Sequence, residues 1–481
     1  MRKISLLITL SLLLINCETS PIKEKKIGLI AQKAMVVSAR IEASKIGSDI
    51  LQKGGNAYDA MIATHFSLAV VYPVAGNIGG GGFMVYRSKD GKTGALDFRE
   101  KAPITAYKDM YLDKKGDVIK NKSTLGAHAV GVPGSVAGIF EVYEKFGSLP
   151  LKDLIQPSID LARNGFKVTE KQAKSLNSAR EKVRKANNYD TLFDKEWKEE
   201  DLLKQEELAQ TLERIRDFGK EGFYKGKTAD LFVNYVTELG GIISHKDLEK
   251  YQAVWRKPIT FNYNGHKITS MTLPASGGIC LAQILKSIEP FDLSEIAHNS
   301  TQYVQLLTEA ERRSYADRAN YLGDIDFVKV PVDSLTEEKY INQRMSTFSW
   351  DEATPSSEVS HGKILGFESN ETTHYSIIDQ FGNAVSVTTT LNTGYGSKVL
   401  VKEAGFFLNN EMDDFSSKPG TPNVYGLIGS KANSIAPEKR MLSSMTPTIV
   451  EKDGKLKMVI GTPGGSTIIT SVLQNIINVV D

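Results

Sequence analysis

Apolar and polar residues alternate in two late stretches, "HYSIID" at 374–379 and "AVSVTTTL" at 384–391, with "QFGN" between them. That period-two pattern around a glycine-bearing connection predicts a β-hairpin. "TPTIVEKDGKLKMVIG" (446–461) adds further strand, and "GSTIITSVLQNIINVV" (465–480) follows as a helix. Nearer the N-terminus the period changes. "SKIGSDILQKGGNAYDAMIATHFSLAVVYP" (44–73) reads as two helices split by "KGGN". Gly54 and Gly55 end the first, Asn56 caps the second, and the spacing in "AMIATHFSLAVV" suits burial.

"GNIGGGGFMVYRSKDGKTGALDFRE" (76–100) gives a glycine loop, a strand, a "KDGK" turn and a second strand ending at Arg99. From about 149 to 250 the pattern is mainly helical and charged. "GHKITSMTLP" (265–274) returns to strand, and "SGGICLAQILKSI" (276–288) and "TQYVQLLTEAERRSYADRANYLG" (301–323) to helix. No internal repeat or low-complexity linker interrupts the chain. Although 481 residues by themselves suggest two or three domains, this segregation of strands and helices predicts α+β layers built from antiparallel hairpins.

The first residues follow a different pattern. "MRKISLLITLSLLLINC" has a basic start at Arg2 and Lys3, then an apolar run from Ile4 to Ile15. The run is too short to span a membrane and fits a secretory signal. It stops at Cys17, where polar residues take over, and so resembles a bacterial lipoprotein signal whose cysteine is lipidated. Asn16 departs from the small residue usual at that place, which leaves ordinary cleavage nearby as the alternative. The expected segments are 1–17 as signal, 18–27 as polar tether, and a body from 28 onward. The expected location is exported, either periplasmic or anchored to the membrane through Cys17.

Charge narrows the function by exclusion. With 59 basic and 57 acidic residues, and no sustained basic run in the body, a phosphate-neutralising nucleic-acid surface is unsupported. "GNIGGGG" invites a nucleotide reading, but a phosphate-cradling loop follows a strand and opens a helix. Here a helix precedes and a strand follows, so a tight turn or close backbone contact is the better expectation. The seven histidines show no HxH or HExxH spacing, and no G-x-S-x-G elbow occurs. No metal or other cofactor is therefore expected. The two cysteines, Cys17 and Cys280, predict no structural disulfide, and Cys280 is expected on the buried face of a helix.

Two adjacent threonines, Thr372 and Thr373, open the predicted hairpin behind Glu371. Threonine is a good strand former, which is the ordinary reading. The sharper one is that cleavage of the Glu371–Thr372 bond makes Thr372 an N-terminus. A free α-amine, with a reference pKa of about 7.7–8.0, then serves as base for its own hydroxyl. Gly464 and Gly465 open a helix, where unpaired N–H groups and the positive dipole end suit an oxyanion site; the alternative is a plain strand-to-helix turn. Ser443 and Ser444 offer hydroxyls, and "LNNEMDDFSSKPG" (408–420) offers carboxylates and amides. With Arg99 these form a possible clamp for a zwitterionic amino-acid group.

These motifs in this order, with "NIGGGGFMVYR" and "ALDFREKAP" upstream, resemble the γ-glutamyltranspeptidases from about residue 28 onward. The resemblance implies the four-layer αββα sandwich of N-terminal nucleophile hydrolases. It implies a proenzyme that cleaves itself between Glu371 and Thr372 into a large region, 28–371, and a small region, 372–481, which stay together as a heterodimer. Thr372 would be the nucleophile, and Thr390 would position its hydroxyl. Gly464 and Gly465 would form the oxyanion hole. Arg99, Ser443 and Ser444 would hold the substrate α-carboxylate, and Asn392, Glu411 and Asp414 its α-ammonium. Tyr425 would close a lid by contact with Asn392.

The implied substrates are glutathione and other γ-glutamyl compounds, with water, amino acids or dipeptides as acceptors. The region from Thr372 is short for the family's small subunit, so packing elements that normally follow it are expected to be missing. Two rivals stand beside this reading: a related cephalosporin-type acylase, and a truncated, non-catalytic surface lipoprotein.

Overall fold

The helix Ala57–Val71 is buried on every side, as an all-round apolar helix must be. Its start is set locally: the Asn56 side chain accepts from the N–H groups of Tyr58 and Asp59, and Asp59 accepts from the Asn56 N–H. This reciprocal cap satisfies donors that a buried helix end would leave orphaned. The computed structural model describes residues 28–359 and 372–481. Residues 34–481 form one compact unit; of the preceding unit, residues 28–33 are exposed and carry no regular structure. Cys17, the predicted signal and tether, and Glu371 lie outside the described residues.

A six-stranded antiparallel sheet lies against that helix. Its spatial order is β1 (Met35–Val37), β9 (Thr372–Ile378), β10 (Ala384–Thr390), β2 (Gly81–Arg87), β3 (Thr93–Asp97) and β6 (Val254–Arg256). A second antiparallel sheet runs β12 (Lys455–Ile460), β11 (Thr448–Lys452), β8 (His266–Ser270) and β7 (Ile259–Tyr263). A two-stranded ribbon, β4 (Phe166–Lys167) with β5 (Leu202–Leu203), stands apart.

The two sheets meet face to face through Phe83, Val85, Ala95 and Ala384 on one side and Met271, Met445 and Ile449 on the other. Helices including Ala57–Val71, Ser135–Phe146 and Leu151–Asn164 cover the outer face of the first sheet. Gly277–Ile288, Thr301–Tyr321 and Ile468–Val480 cover the outer face of the second. This is the expected four-layer αββα sandwich. Because β9 and β10 sit in the middle of the first sheet, the predicted large and small regions interleave in one unit.

The predicted hairpin, glycine loop and capped helices are present. Five strands were not foreseen: β1, which pairs with β9; β4 and β5, which pair with each other inside the stretch expected to be helical; and β6 and β7, which precede the predicted strand at 265–274. β1, β4, β5 and β6 have three residues or fewer, whereas β7, "ITFNY", alternates cleanly, so its signal was present in the sequence. The strand expected to end at Arg99 stops at Asp97, which leaves Arg99 free of the ladder. Cys280 is fully buried, and burial pushes its thiol up to about 11, so it is a packing residue and not a nucleophile.

Candidate active site

β9 and β10 are paired so that Thr372 and Thr390 stand directly opposite. Their hydroxyl oxygens lie 3.5 Å apart, and both residues are buried. The Asn392 N–H donates to the Thr390 hydroxyl oxygen at 2.8 Å, which ties the Thr390 side chain to the backbone that follows β10. The glycine loop supports this strand end from behind. Asn77 donates to the Thr390 carbonyl at 2.9 Å and to the Thr389 hydroxyl at 3.1 Å. Gly80 is pressed so close that a Cβ there would sit 2.1 Å from the Thr390 carbonyl oxygen. The loop read as a close backbone contact is therefore a buttress for the strand that carries Thr390.

Gly464 and Gly465 have φ of 141° and 54°, a conformation that favours glycine. Gly465–Thr467 forms a 3₁₀ turn leading into the helix Ile468–Val480. The Gly464 carbonyl accepts from the Thr467 N–H and hydroxyl at 3.0 and 2.7 Å. Neither glycine N–H has an acceptor among the described residues, so two donors stand unpaired near the positive end of the helix.

Arg99 is 1 % exposed, and its guanidinium is shared by three carboxyls. Nη1 meets Glu411 at 2.8 Å and Glu100 at 3.7 Å, and Nη2 meets Asp414. Burial raises the affinity of all three acids for a proton, and the Arg99 charge opposes this. For Glu100 the balance is a carboxyl pushed up to about 8. Burial also works against the Arg99 cation, but Glu411, Asp414 and Glu100 more than offset it. Glu411 meets Arg99 at 2.8 Å and has the Asp414 carboxyl beside it.

The serines present the complementary chemistry. The Ser443 hydroxyl oxygen accepts from the Met445 N–H at 3.1 Å, and that of Ser444 from Arg318 at 3.0 Å. Each therefore keeps its hydrogen for donation. Asn392 commits its amide nitrogen to the Asn410 carbonyl at 3.0 Å, leaving its oxygen as an acceptor. The Tyr425 hydroxyl donates to the Asn392 carbonyl, and Tyr425 is buried.

Arg99, Thr372, Thr390, Asn392, Glu411, Asp414, Tyr425, Ser443, Ser444 and Gly465 line one small cavity. Gly464, next to it in the chain, is not among the lining residues. Sequence reading missed Arg318, which also lines this cavity. Its signal was there: it continues the buried stripe of Leu307, Ala310 and Ser314 at helical spacing. It missed Glu100 as well, the acid beside Arg99.

Known proteins resemble this chain in sequence and in fold. The family model described as gamma-glutamyltranspeptidase matches residues 43–481. The chain is 48 % identical over 455 residues to a glutathione hydrolase proenzyme of Escherichia coli (strain K12), covering 94 % of this chain and 78 % of that protein. The structure resembles the gamma-glutamyltranspeptidase of Helicobacter pylori, with TM-score 0.68 and 43 % identity over 70 % of this chain and 97 % of that one. It also resembles a cephalosporin acylase from Bacillus halodurans, with TM-score 0.82 and 25 % identity over 96 % of this chain and 84 % of that one. A family match spanning residues 43–481, together with 48 % identity over most of both chains, shows that the chain belongs to the γ-glutamyltranspeptidase family.

Proposed function

We propose that this protein is a self-processing γ-glutamyl hydrolase and transferase acting on glutathione and related γ-glutamyl compounds. The observation that carries the reading is the shared cavity, which sets a hydroxyl pair beside an array of fixed positive and negative groups. In the unliganded chain Arg99 is paired with Glu411 and Asp414. A zwitterion entering between them exchanges those contacts for matched ones. Its carboxylate meets Arg99, Ser443 and Ser444, and its ammonium meets Glu411, Asp414 and the Asn392 oxygen. Tyr425 then holds the lid over it.

Maturation and turnover use the same hydroxyl. Thr372 Oγ attacks the Glu371 carbonyl, the peptide C–N bond breaks, and water hydrolyses the resulting ester. The freed α-amine then takes the Thr372 hydroxyl proton as Oγ attacks the γ-carbonyl of the donor. Gly464 and Gly465 N–H groups stabilise the oxyanion. The amide C–N bond breaks and the leaving amine departs with that proton. Water opens the γ-glutamyl ester to give glutamate, or an amino-acid amine opens it to give a new γ-glutamyl amide, and either restores the hydroxyl.

Intact mass and N-terminal sequencing test this. The wild type is expected to yield a second polypeptide beginning Thr372-Thr373-His374, and Thr372→Ala to stay in one piece. A wild-type chain that stays uncleaved under folding conditions would overturn the reading in favour of a non-catalytic lipoprotein. The acylase alternative is favoured by the likeness to the cephalosporin acylase. Against it stands the clamp: Arg99→Ala is expected to abolish γ-glutamyl turnover, and full activity in that variant would favour the acylase. We further infer export and anchoring through Cys17, from the basic and apolar leader. Cys17→Ala should move the protein from the membrane to the soluble fraction, and an unchanged distribution would refute the anchor.

A further inference from the structure

Arg318 is a second buried cation of the site, only 4 % exposed, and its surroundings are unlike those of Arg99. No carboxylate lies within ion-pair distance of it among the described residues. Its partners are hydroxyls: Nε donates to Ser276 Oγ at 2.9 Å and Nη2 to Ser444 Oγ at 3.0 Å. Nη1 has no hydrogen-bond acceptor among the described residues, while the residue lines the cavity. The last turn of Thr301–Tyr321 gives it a weak favourable field from the helix end. A guanidinium withdrawn from water without an anion is costly to keep unless something charged joins it.

Its contacts reach both serines. Ser276 accepts from Arg318 and donates through its hydroxyl to the Ser443 carbonyl at 2.7 Å; its N–H donates to the same carbonyl at 2.8 Å. Arg318 thus fixes the Ser443 backbone through Ser276 and takes up an acceptor site on the Ser444 hydroxyl directly. A hydroxyl that accepts from a cation becomes a stronger and better-directed donor. Its hydrogen is left for the cavity, where Arg318 also adds positive potential.

We propose that Arg318 is a positioning residue for recognition of the donor's α-carboxylate, acting through Ser444 and supplying the second positive charge of that subsite. The proposal rests on the γ-glutamyl reading given above. It accounts for a buried cation with no carboxylate in ion-pair contact among the described residues, Asp414 acting on it only across the cavity: the ligand brings the contacting anion.

The test compares wild type, Arg318→Gln and Arg318→Lys with two donors, a γ-glutamyl anilide bearing a free α-carboxylate and its α-carboxamide. Arg318→Gln is expected to raise KM for the free-acid donor by about 10- to 100-fold, with little change in kcat. Its kcat/KM for the carboxamide should stay close to the wild-type value, and Arg318→Lys should restore part of the acid preference. Combining Arg318→Gln with Ser444→Ala should add little to either change alone. Equal losses for both donors, or an unaltered acid preference, would overturn the proposal in favour of a purely structural arginine. Equilibrium binding of L-glutamate and its α-amide is measured in parallel. If the wild type binds glutamate but turns over neither donor, the catalytic reading has failed, and the binding ratio still decides the role of Arg318. Should Arg318→Gln not fold, Arg318→Lys and Ser276→Ala carry the same comparison.

Discussion

Glu100 is fully buried beside Arg99, and neither of its oxygens receives a hydrogen bond among the described residues. Burial pushes its carboxyl from 4.5 to about 8, with Arg99 opposing and Asp414 and Asp97 adding to the rise. The folded chain therefore holds a proton that the unfolded chain has released, and the stability linked to it is complete below pH 4.5. It is lost as pH rises through about 8, at no more than about 1.4 kcal/mol per pH unit for one group. Glu100→Gln keeps the shape and removes the titration. Thermal unfolding followed from pH 6 to 9 should fall less steeply in that variant than in the wild type. Parallel curves would mean that Glu100 does not hold the extra proton. Some slope should remain, because burial raises Glu411 and Asp414 as well.

At the scale of elements, the loop 76–80 and the end of β10 behave as one device. Asn77 donates to the Thr390 carbonyl, and its own Oδ1 accepts from the Gly80 N–H at 3.0 Å and the Ser135 hydroxyl at 2.7 Å. Gly80→Ala would place a methyl 2.1 Å from the Thr390 carbonyl oxygen and 2.7 Å from Asn77 Oδ1. Strand and loop must separate, carrying Thr390 away from Thr372. Self-cleavage should slow and kcat fall by about 10- to 100-fold, with cooperative unfolding retained. Normal maturation and turnover in Gly80→Ala would show that the loop does not set the threonine pair. His374, on the same face of β9 as Thr372, reinforces the strand by bonding Thr388 and Ser376 at 2.9 Å each. Burial pushes its imidazole down to about 3, so it is neutral at physiological pH and serves as a structural polar group.

Across the whole molecule the site lies where parts far apart in sequence converge. Thr372 and Thr390 come from the first sheet, Gly465 from the start of an outer helix, Ser443 and Ser444 from the approach to β11, and Arg318 from the helix beneath. The sheets are also joined by charge. Arg87 on β2 meets Glu451 on β11 at 2.6 Å, and Lys267 on β8 meets the same carboxylate at 2.8 Å. These contacts hold the sandwich in register at its far end.

The residues alone determined much of this: the hairpin from its period-two pattern, the Asn56 cap from its side-chain chemistry, and most residues of the shared cavity from motifs and their resemblance. These are local properties, or patterns that survive as text. Only the tertiary structure decided that "GNIGGGG" braces Thr390, because which backbone presses on a glycine depends on the partner strand. It alone paired Arg99 with Glu411 and Asp414, and joined Arg318 to Ser444 across 126 residues of chain. Burial shifts the protonation of Glu100 and places Arg318 against hydroxyls rather than in a direct ion pair among the described residues, and burial belongs to the folded chain rather than to any stretch of sequence.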